Sequence, residues 1–425
     1  MEQPGRVVLV YADRVGAAMG GMGIRAVELG RVLRDALGAE VTIAAAAADA
    51  GDVGLPVVTF DPHAPAALEP HLRDADAVVA QPGWPQTMRR LSRSGARLVF
   101  DLYDPEVFGT LEHFAGRRRR GLMAAFAADR VVDALARGDH AICASERQRD
   151  LWIGAMVGAG LVASAAYDHD PTLRSALDVV PYGVPTAPPA AAGHPVRERF
   201  GLAADDEIVL WNGGLWSWLD APAAIRAVAR LRERRPRARL VFMGASDAPP
   251  ARRATEQARA VADRLGLLGD GVHFNDGWVP YAARGGWLLD ADCAVSAHAE
   301  HLETRFAFRT RVLDCFWGGL PVVCTDGDEL AVRVAREDLG AIAPPGDDAA
   351  LAAGLERVLE RGRGAYAAPL AAAAADHAWP RVAAPLVRML RGPAPPRARR
   401  SAPRAVRRAA YLALTGSRLR PPRAG

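Results

Sequence analysis

Two arginines and one aspartate in the last third of the chain have the spacing of a small anion-binding group. Arg309 and Arg311 open a segment of helical periodicity, and Asp314 follows on the same helix face. In a first helical turn the free N–H groups and the positive dipole end favour an anion, by about 0.3–1 kcal/mol at an exposed site. Two guanidiniums for phosphates and one carboxylate for ribose hydroxyls would together recognise a nucleoside diphosphate. The alternative is an ordinary solvated helix face with ion pairs.

The elements on either side of this group predict how it is positioned. An apolar run at Cys293–Ala297 leads through a polar loop to the helical segment, and a second apolar run follows at Pro321–Thr325. Gly318 and Gly319 favour a helix stop, which the proline after them reinforces. The order strand, loop, helix, strand is one half of a doubly wound parallel sheet. Ligands of such sheets sit beyond the carboxyl ends of the strands.

The whole chain repeats this β/α alternation, which predicts two Rossmann-like α/β domains facing each other across a cleft. Seven apolar runs precede a Pro/Gly/Ala-rich linker at 181–195, and six follow it. We predict domains at 1–185 and 186–377, a closing helix at 378–391 that packs back on the first domain, and a basic tail at 392–425. The predicted strands are 7–11, 41–45, 56–60, 77–80, 97–100, 140–144, 178–181, 208–211, 240–243, 272–274, 293–297, 321–325 and 341–342.

Composition narrows the class of protein. The chain has 425 residues, a formal charge of +4 and no lysine, so arginine is its only fixed cation. Residues 391–425 hold ten arginines and no acid, so residues 1–390 carry a charge of 4 − 10 = −6. A basic folded body, as expected for nucleic-acid binding, is therefore excluded. The four cysteines are isolated in apolar contexts, and the chain begins directly with a strand rather than a signal peptide. We therefore expect a cytoplasmic protein.

Polar groups also follow the strands of the first domain. Gly20, Gly21 and Gly23 lie between the first strand and the first helix, where glycine lets a backbone approach a phosphate or sugar closely; core packing is the alternative. Their spacing is not the dinucleotide fingerprint, so a bound NAD is not expected. Asp101 and Asp104 end a later strand and fit either acceptor hydroxyls and a base or a helix cap.

Further strand-end and surface residues fit more than one role. Ser145 and Glu146 end another strand at the same edge; helix capping by Ser145 is the alternative there. Arg117–Arg120 form a run that is open to two interpretations, a solvated loop or a contact with an anionic membrane surface. The 392–425 tail allows the same membrane contact. His298 and His301 lack a third ligand, so no metal site is predicted.

Five segments, in order, resemble the GT-B glycosyltransferases of the family-4 type (glycosyl transferases group 1) over roughly residues 6–391. They are Gly20-Gly-Met-Gly23, Val180-Pro-Tyr-Gly-Val-Pro185, Asn212-Gly-Gly-Leu-Trp-Ser-Trp-Leu-Asp220, the Arg309–Thr325 helix with GGLPVV, and Ala378-Trp-Pro-Arg-Val382. The resemblance implies a nucleotide-sugar site in the second domain and an acceptor site in the first. It also implies retention of configuration and stabilisation of the leaving diphosphate by fixed cations without a metal or other cofactor.

The resemblance also suggests roles for individual residues. Where the family has two glutamates eight residues apart, this chain has Phe306 and Asp314, and Glu303 is the expected replacement for the first. The expected catalytic residues are Glu303, Asp104 and Arg309. The expected donor-binding residues are Arg309, Arg311, Asp314, Gly213, Gly214, Gly21 and Gly23, with Arg305 as a further candidate. The expected acceptor-binding residues are Arg25, Asp101, Asp104, Ser145 and Glu146. Trp211, Trp216 and Trp218 suggest a wall on which a sugar stacks, with core packing as the alternative for two of them.

The predicted function is transfer of a sugar from a nucleotide-diphosphate sugar to an acceptor hydroxyl. The expected acceptor is polyprenyl-linked, a lipid or a small molecule, in cell-envelope polysaccharide, glycolipid or secondary-metabolite synthesis. Two alternatives remain open at the level of sequence: a nucleotide-sugar epimerase on the same two-domain plan, and a non-catalytic sugar-nucleotide binder at the inner face of the plasma membrane.

Overall fold

The computed structural model describes residues 3–49, 51–190, 193–244 and 249–393. Residues 394–425, which make up nearly all of the predicted basic tail, lie outside this part of the chain. Within it, thirteen strands form two sheets in which every strand pairing is parallel. The predicted α/β architecture with two Rossmann-like domains is confirmed.

The first sheet has seven strands in the order β3-β2-β1-β4-β5-β6-β7. Its strands are β1 (Arg6–Val15), β2 (Glu40–Ala48), β3 (Val57–Thr59), β4 (Ala77–Ala80), β5 (Arg97–Asp101), β6 (His140–Cys143) and β7 (Leu177–Val179). The second sheet has six strands in the order β10-β9-β8-β11-β12-β13. Its strands are β8 (Glu207–Trp211), β9 (Ala238–Phe242), β10 (Val272–Phe274), β11 (Cys293–Ser296), β12 (Val322–Thr325) and β13 (Gly340–Ala343).

Helices connect these strands. The first domain contains α1 (Gly21–Leu37), α2 (Glu69–Leu72), α3 (Pro85–Leu91), α4 (Glu106–His113), α5 (Arg120–Arg137), α6 (Glu146–Ala159) and α7 (Ser164–His169). The second contains α8 (Pro195–Phe200), α9 (Ala221–Arg232), α10 (Pro249–Arg264), α11 (Arg284–Asp290), α12 (Leu302–Phe306), α13 (Thr310–Trp317), α14 (Glu329–Arg336), α15 (Asp348–Arg361) and α16 (Ala367–Asp376). None of the helices in the described ranges is long and apolar enough to cross a lipid bilayer.

The central strands are mostly apolar because both faces of each sheet are covered. Every residue of β4, β6, β11 and β12 is buried. A strand buried on two sides shows a continuous apolar run rather than alternation, which is why these strands were visible in the sequence. Strand order reverses beside β1 in the first sheet and beside β8 in the second, and the loops that follow these strands therefore border the crevice where ligands bind.

The chain crosses between the domains twice. The linker after β7 leads into the second domain, and residues 377–379 return beside it: Val184 N–H donates to His377 O (2.8 Å), and Trp379 N–H donates to Val184 O (3.0 Å). The return leads into α17 (Trp379–Val382) and α18 (Ala384–Arg391), which contact α1 of the first domain. The predicted single closing helix at 378–391 is therefore wrong in one respect, because the chain forms two short helices separated at Ala383.

Candidate active site

A cavity of about 850 Å³ lies between the two domains and is walled by both. It lies beyond the carboxyl ends of β1, β5, β8 and β11. The first domain contributes Asp13, Arg14, Gly20, Gly21, Tyr103 and Asp104, among others. The second contributes Trp216, Trp218, His298, Glu303, Arg309 and Arg311, among others. The three residues predicted as catalytic, Glu303, Asp104 and Arg309, thus border one cavity.

Glu303 is positioned by the short helix α12. His301 caps this helix: its Nδ1 accepts from Thr304 N–H (3.2 Å), while its Nε2 bonds Trp218 O (3.2 Å), which requires the Nε2–H tautomer. The Glu303 residue is only 8% exposed. Burial, reinforced by the negative charge of Asp104, raises the pKa of Glu303 to about 7. Part of the Glu303 population is therefore protonated at neutral pH.

Asp104 stands on the other side of the same cavity, in the loop after β5. The residue is exposed toward the open cavity, whose walls reduce the hydration of its carboxylate. This desolvation raises the pKa of Asp104 to about 6, against the lowering effect of the Arg130 guanidinium. An acid with a pKa near the working pH can accept and release a proton during a reaction. The two carboxylates come from opposite domains, so their separation depends on how the domains are closed.

Arg311 is the cation best placed for an anionic ligand. It donates from Nη2 to Gly214 O (2.9 Å), and its guanidinium lies 5.2 Å from the Trp211 ring centroid. Its Nη1 is buried and has no hydrogen-bond partner among the described residues. Burial, together with repulsion from Arg309, lowers the pKa of Arg311 to about 10. A buried guanidinium N–H without an acceptor is unfavourable, and an anion bound at Nη1 would relieve it.

The position and the charge partner of Arg309 differ from the sequence prediction. It is the N-cap of α13 rather than a residue of the first turn. Its guanidinium pairs with the buried carboxylate of Asp328 and donates from Nη1 to Thr325 O (2.9 Å). Asp328 therefore offsets much of the positive charge of Arg309, although the residue still borders the cavity. Arg311 carries the larger share of uncompensated charge.

The ribose role predicted for Asp314 is not supported by the structure. Asp314 is not among the residues that line the cavity, and its side chain, 29% exposed, pairs with Arg284 (3.2 Å). Arg284 in turn lies over the rings of Tyr281 (3.6 Å) and Trp317 (4.4 Å). The sequence placed Arg311 and Asp314 together on one helix face. In the structure Arg311 lines the cavity, whereas Asp314 is turned toward α11.

The predicted glycines divide into two groups. Gly21 lines the cavity, and a Cβ there would meet nothing within 4 Å. Gly213 has φ +116°, and a Cβ there would lie 3.7 Å from Arg311 Nη2; the carbonyl of Gly214 receives the Arg311 hydrogen bond. Gly23 is different, because a Cβ there would be 2.1 Å from Arg14 O. Gly23 is required for packing of α1 on β1, which was the alternative to a ligand role.

Arg25 and Asp101 cannot bind an acceptor as predicted, because both are fully buried and bonded to each other. Arg25 donates from Nε and Nη2 to the two oxygens of Asp101 (2.6 and 3.0 Å), and from its terminal nitrogens to Val180 O and Pro181 O (both 2.9 Å). Tyr11 Oη also donates to Asp101 (2.6 Å). This closed network ties α1 and β5 to the linker and leaves no polar atom of either group for a ligand.

Ser145 and Glu146 are likewise used within the first domain. The Ser145 hydroxyl caps α6 by accepting from Gln148 N–H (3.1 Å), which was the alternative reading of this residue. Glu146 is exposed and pairs with Arg174 (2.7 Å). Neither lines the cavity. The neighbouring Arg147 instead reaches the other domain and donates to Gly327 O (2.9 Å), beside a second crevice of about 710 Å³ that Arg305 also lines.

The predicted tryptophan wall is partly present. Trp216 and Trp218 line the cavity with their rings stacked, 5.3 Å apart and 4° from parallel. Trp211 is fully buried in the core, as the alternative held for part of this group. Trp278 adds another aromatic ring to the same cavity and was not anticipated.

Two further cavity residues were missed by sequence reasoning. Tyr103 lies between the two predicted aspartates and donates from Oη to Phe308 O of the second domain (3.0 Å). His298 was considered only as a metal ligand. It borders the cavity, and burial, with the charges of Arg309 and Arg311, lowers the pKa of His298 well below its ordinary value. Its position immediately after β11 is the signal that would have pointed to it.

In the described ranges no group of three or more His, Cys, Asp or Glu side chains is arranged as a metal site. The lining of the cavity includes arginines, the carboxylates of Glu303 and Asp104 with raised pKa values, two further aspartates (Asp13 and Asp276), a neutral imidazole and tryptophan rings. Such a set suits an anionic, hydroxyl-bearing ligand with a planar ring.

Solved structures of sugar-transferring enzymes share this fold. Sucrose-phosphate synthase from Thermosynechococcus elongatus is 16% identical with a TM-score of 0.63, over 91% of this chain and 98% of that one. Anabaena Alr3699/HepE in complex with UDP-glucose is 15% identical with a TM-score of 0.67, over 90% and 99%. Alpha,alpha-trehalose 6-phosphate synthase from Burkholderia multivorans is 14% identical with a TM-score of 0.65, over 96% and 100%. At these identities the similarity defines the fold, which is GT-B. A search of curated proteins by sequence returned no match.

Residues 206–361, which form most of the second domain, match the family profile "Glycosyl transferases group 1". This match, together with the two-domain fold, confirms the predicted resemblance to GT-B glycosyltransferases of group 1. The protein therefore has the GT-B fold, and residues 206–361 within its second domain are similar to the group 1 glycosyl transferases.

Proposed function

We propose that the protein transfers a sugar from a nucleotide-diphosphate sugar to an acceptor hydroxyl, with retention of configuration and without a metal ion or other cofactor. One observation supports this most directly. Arg311, a half-buried arginine whose Nη1 is buried and unpaired, borders the same interdomain cavity as Glu303 and Asp104, two carboxylates from opposite domains.

Arg311 is the proposed principal ligand of the donor diphosphate. Negative charge builds on the diphosphate as the sugar–oxygen bond breaks, and a fixed cation in a water-poor cavity stabilises that charge more in the transition state than in the ground state. Arg309 contributes less, because Asp328 neutralises it. The open position at Gly21 leaves room for a phosphate oxygen close to the main chain, whereas Gly213 and Gly214 lie against the side chains of Arg311 and Trp216 and act by positioning them.

The tryptophan rings suggest which parts of the donor contact this wall of the cavity. Trp216, Trp218 and Trp278 present flat apolar faces to the cavity, which suit a nucleobase or the apolar face of a sugar ring. Anabaena Alr3699/HepE has been solved with UDP and glucose and with UDP-glucose. UDP-glucose is therefore the first donor to test.

The two carboxylates take different parts in the proposed reaction. The acceptor hydroxyl approaches from the side of the first domain, and Asp104, with its pKa near 6, accepts its proton or orients it. Glu303 binds hydroxyls of the donor sugar. In a retaining transfer the acceptor attacks from the face that the diphosphate leaves, so neither carboxylate forms a bond to the sugar.

The test is release of nucleoside diphosphate from UDP-glucose and from a GDP-, a TDP- and an ADP-sugar, with EDTA present and with a panel of sugar and lipid acceptors. We expect one donor to be consumed in EDTA and the product to keep the donor's anomeric configuration by NMR. Strict dependence on a divalent ion would overturn the metal-free proposal, and an inverted product would overturn retention. An epimerase would convert donor without acceptor, and a binder would be heat-stabilised by UDP without consuming any donor.

We further propose a cytoplasmic enzyme that touches the inner face of the plasma membrane while it glycosylates a polyprenyl-linked, lipid or small-molecule acceptor of envelope or secondary-metabolite synthesis. The support is a surface formed by α4 and the start of α5. Arg117, Arg118 and Arg119 are exposed, none of the residues of α4 is buried, and Leu122 is 69% exposed. Each basic residue near an anionic surface contributes about 1 kcal/mol to binding.

Vesicles of phosphatidylcholine with one-third phosphatidylglycerol test this contact. We expect exchange of Arg117–Arg119 for serine, or removal of residues 394–425, to weaken sedimentation with these vesicles while turnover of a soluble acceptor stays unchanged. Equal sedimentation of all forms would exclude the proposed surface.

A further inference from the structure

Gln148 is a fully buried amide that joins three separate pieces of backbone. Its residue is 0% exposed. Its Oε1 accepts from Ala144 N–H (2.8 Å), and its Nε2 donates both to Tyr103 O and to Phe306 O (2.8 Å each). Ala144 and Tyr103 belong to the first domain, and Phe306 belongs to the second. One side chain therefore spans the domain boundary with three hydrogen bonds of normal length.

Only a glutamine amide fits this set of partners. Two main-chain carbonyls require two donors, and one main-chain N–H requires an acceptor, which a primary amide supplies on one planar group. A carboxylate has no donor, and an asparagine is one methylene shorter. The Ser145 cap on Gln148 N–H fixes the first turn of α6 and therefore the direction in which this side chain leaves the helix.

The two carbonyls that receive the Nε2 hydrogens lie next to the proposed catalytic groups. Tyr103 immediately precedes Asp104, and Phe306 ends the helix that carries Glu303. Tyr103 strengthens the same connection, because its Oη donates to Phe308 O, one residue before Arg309. The segment 306–308 is thus held against the first domain from two directions, and it links Glu303 to the arginines.

We propose that Gln148 is a positioning residue that sets the distance between Asp104 and Glu303. The proposal rests on the function proposed above. The bond from the amide to Phe306 O ties the end of α12 to the first domain and so holds Glu303 at a fixed separation from Asp104. Gln148 itself touches neither donor nor acceptor, and its effect on the reaction passes through the two segments it holds.

The pKa of Glu303 depends on the distance between the two carboxylates and can therefore be used to detect a change in it. The charges of Asp104, Arg309, Asp328 and Glu112 act on Glu303, and the ring of the N-cap His301 lies 3.7 Å from it. The charge of Arg130 acts on Asp104. Burial is the main cause of the raised pKa of Glu303, and Asp104 is the next. If the two carboxylates move apart, the pKa of Glu303 falls and the acidic limb of the pH–rate profile shifts to lower pH.

The experiment compares Gln148→Met, which keeps the size of the side chain and removes all three bonds, with the wild type. The probe is UDP-glucose, or whichever tested donor the wild type consumes. We expect kcat to fall about 100-fold, the loss associated with misplacement of a catalytic group by about 1 Å. We expect the donor KM to change less than threefold, because Arg311 and the tryptophans are untouched, and the acidic limb to shift to lower pH.

Tyr281→Phe is the matched control. It removes another hydrogen bond between the domains, from Tyr281 Oη to Glu28 (3.3 Å), which involves neither carboxylate-bearing segment. We expect its kcat and pH profile to match the wild type. An equal loss in this control would show that any weakened domain contact lowers turnover, and would overturn a specific role for Gln148.

Gln148→Glu covers the case in which the methionine variant does not fold. This variant keeps the acceptor for Ala144 N–H and loses the donors, except that a protonated carboxyl can donate to one carbonyl. We expect partial activity that declines as the pH rises. Wild-type kcat and pH profile in either folded variant would overturn the inference. Failure of the proposed function would appear differently, as absence of donor turnover in the wild type itself.

Discussion

At the scale of single residues, the cavity brings carboxylates and guanidiniums together, and its chemistry depends on which of them are charged. Glu303 and Asp104 have pKa values raised to about 7 and about 6, so near neutral pH their combined negative charge is reduced. A cavity that takes a diphosphate benefits from this, because two fully ionised carboxylates would repel the ligand. Burial of Glu303 therefore favours donor binding but lowers the free energy of unfolding.

We predict that Glu303→Gln stabilises the protein at pH 8. In the folded state Glu303 keeps its proton to about pH 7, whereas in the unfolded chain it ionises near its ordinary value of 4.5. Because the folded state then binds more protons than the unfolded state, this group lowers stability as the pH rises from about 4.5 to 7. The variant should gain up to about 2–3 kcal/mol at pH 8 and little at pH 4.5, as measured by thermal unfolding.

The same variant should lose about 10- to 100-fold in kcat, as expected for loss of a hydrogen bond from a charged group to the donor sugar. Glu300→Gln, which changes an exposed glutamate of the same loop, serves as the control and should leave both quantities unchanged. A Glu303→Gln protein with wild-type kcat would contradict the role given to Glu303.

We predict that Arg311→Met weakens donor binding without weakening the fold. Removing a half-buried cation that has lost much of its hydration and has one unpaired buried nitrogen should leave the melting temperature unchanged or higher. The affinity for UDP should fall by tenfold or more, the size of effect expected for loss of a charge-assisted contact, as measured by isothermal calorimetry. Arg305→Met is the matched control on the same polar stretch, and similar losses in both variants would contradict the special role of Arg311.

The sequence predicted which residues reach the cavity where a side chain follows a strand, and it failed where burial decides. Asp104, Arg311 and Gly21 were selected from their positions after strands or at helix starts and Glu303 from the family resemblance, and all four line the cavity. Arg25 and Asp101 occupy equally suitable positions in the sequence, but they bond each other. Pairing of that kind depends on side chains 76 residues apart and leaves no local signal.

At the scale of elements, apolar runs located the buried strands well, and their polar extensions were missed. All thirteen strands in the described ranges overlap a predicted run. β1 was predicted to end at Tyr11 but continues to Val15, past a break in register between Tyr11 and Arg14. Polar residues in that extension look like a loop in the sequence, yet pairing with β2 keeps them in the sheet and brings Asp13 and Arg14 to the cavity.

The helix α12 was read as loop because five residues are too few to show helical periodicity. It is fixed instead by capping at His301, which also reaches Trp218 O. His301 thus connects α12, which carries Glu303, with the loop that carries Trp216 and Trp218. The stability of this short helix depends strongly on the His301 side chain.

We predict that His301→Ala lowers stability by about 1 kcal/mol, the usual effect of removing an N-cap. Turnover should fall about tenfold as Glu303 loses its fixed direction. His301→Asn retains a cap acceptor and should recover most of the stability, although it cannot reach Trp218. Thermal unfolding and steady-state kinetics of the two variants give the comparison. If the asparagine variant is as unstable as the alanine variant, the cap is not the important contact.

At the scale of the whole molecule, the two crossings between the domains are packed against each other by aromatic rings. Tyr182 of the linker lies 4.9 Å from Trp379 of the return crossing and 5.7 Å from Tyr103 at the cavity, between ring centroids. Tyr103 then bonds the segment before Arg309. A change at the closing segment can therefore reach the cavity through rings in direct contact.

Gly183 is the position at which this packing is tightest. A Cβ at Gly183 would lie 2.6 Å from Cδ2 and 2.9 Å from Cγ of Trp379, whose ring is rigid and buried. We predict that Gly183→Ala lowers stability by about 1–3 kcal/mol through overpacking and raises the donor KM, because the displaced ring pushes on Tyr182. Gly109→Ala in α4, where a Cβ meets nothing within 4 Å, should be neutral or slightly stabilising. Thermal unfolding and donor kinetics of both variants provide the test. A Gly183→Ala protein with wild-type stability but altered KM would mean that the crossings tune closure without contributing to the fold, whereas wild-type values for both would show that the rings move apart freely and transmit nothing to the cavity.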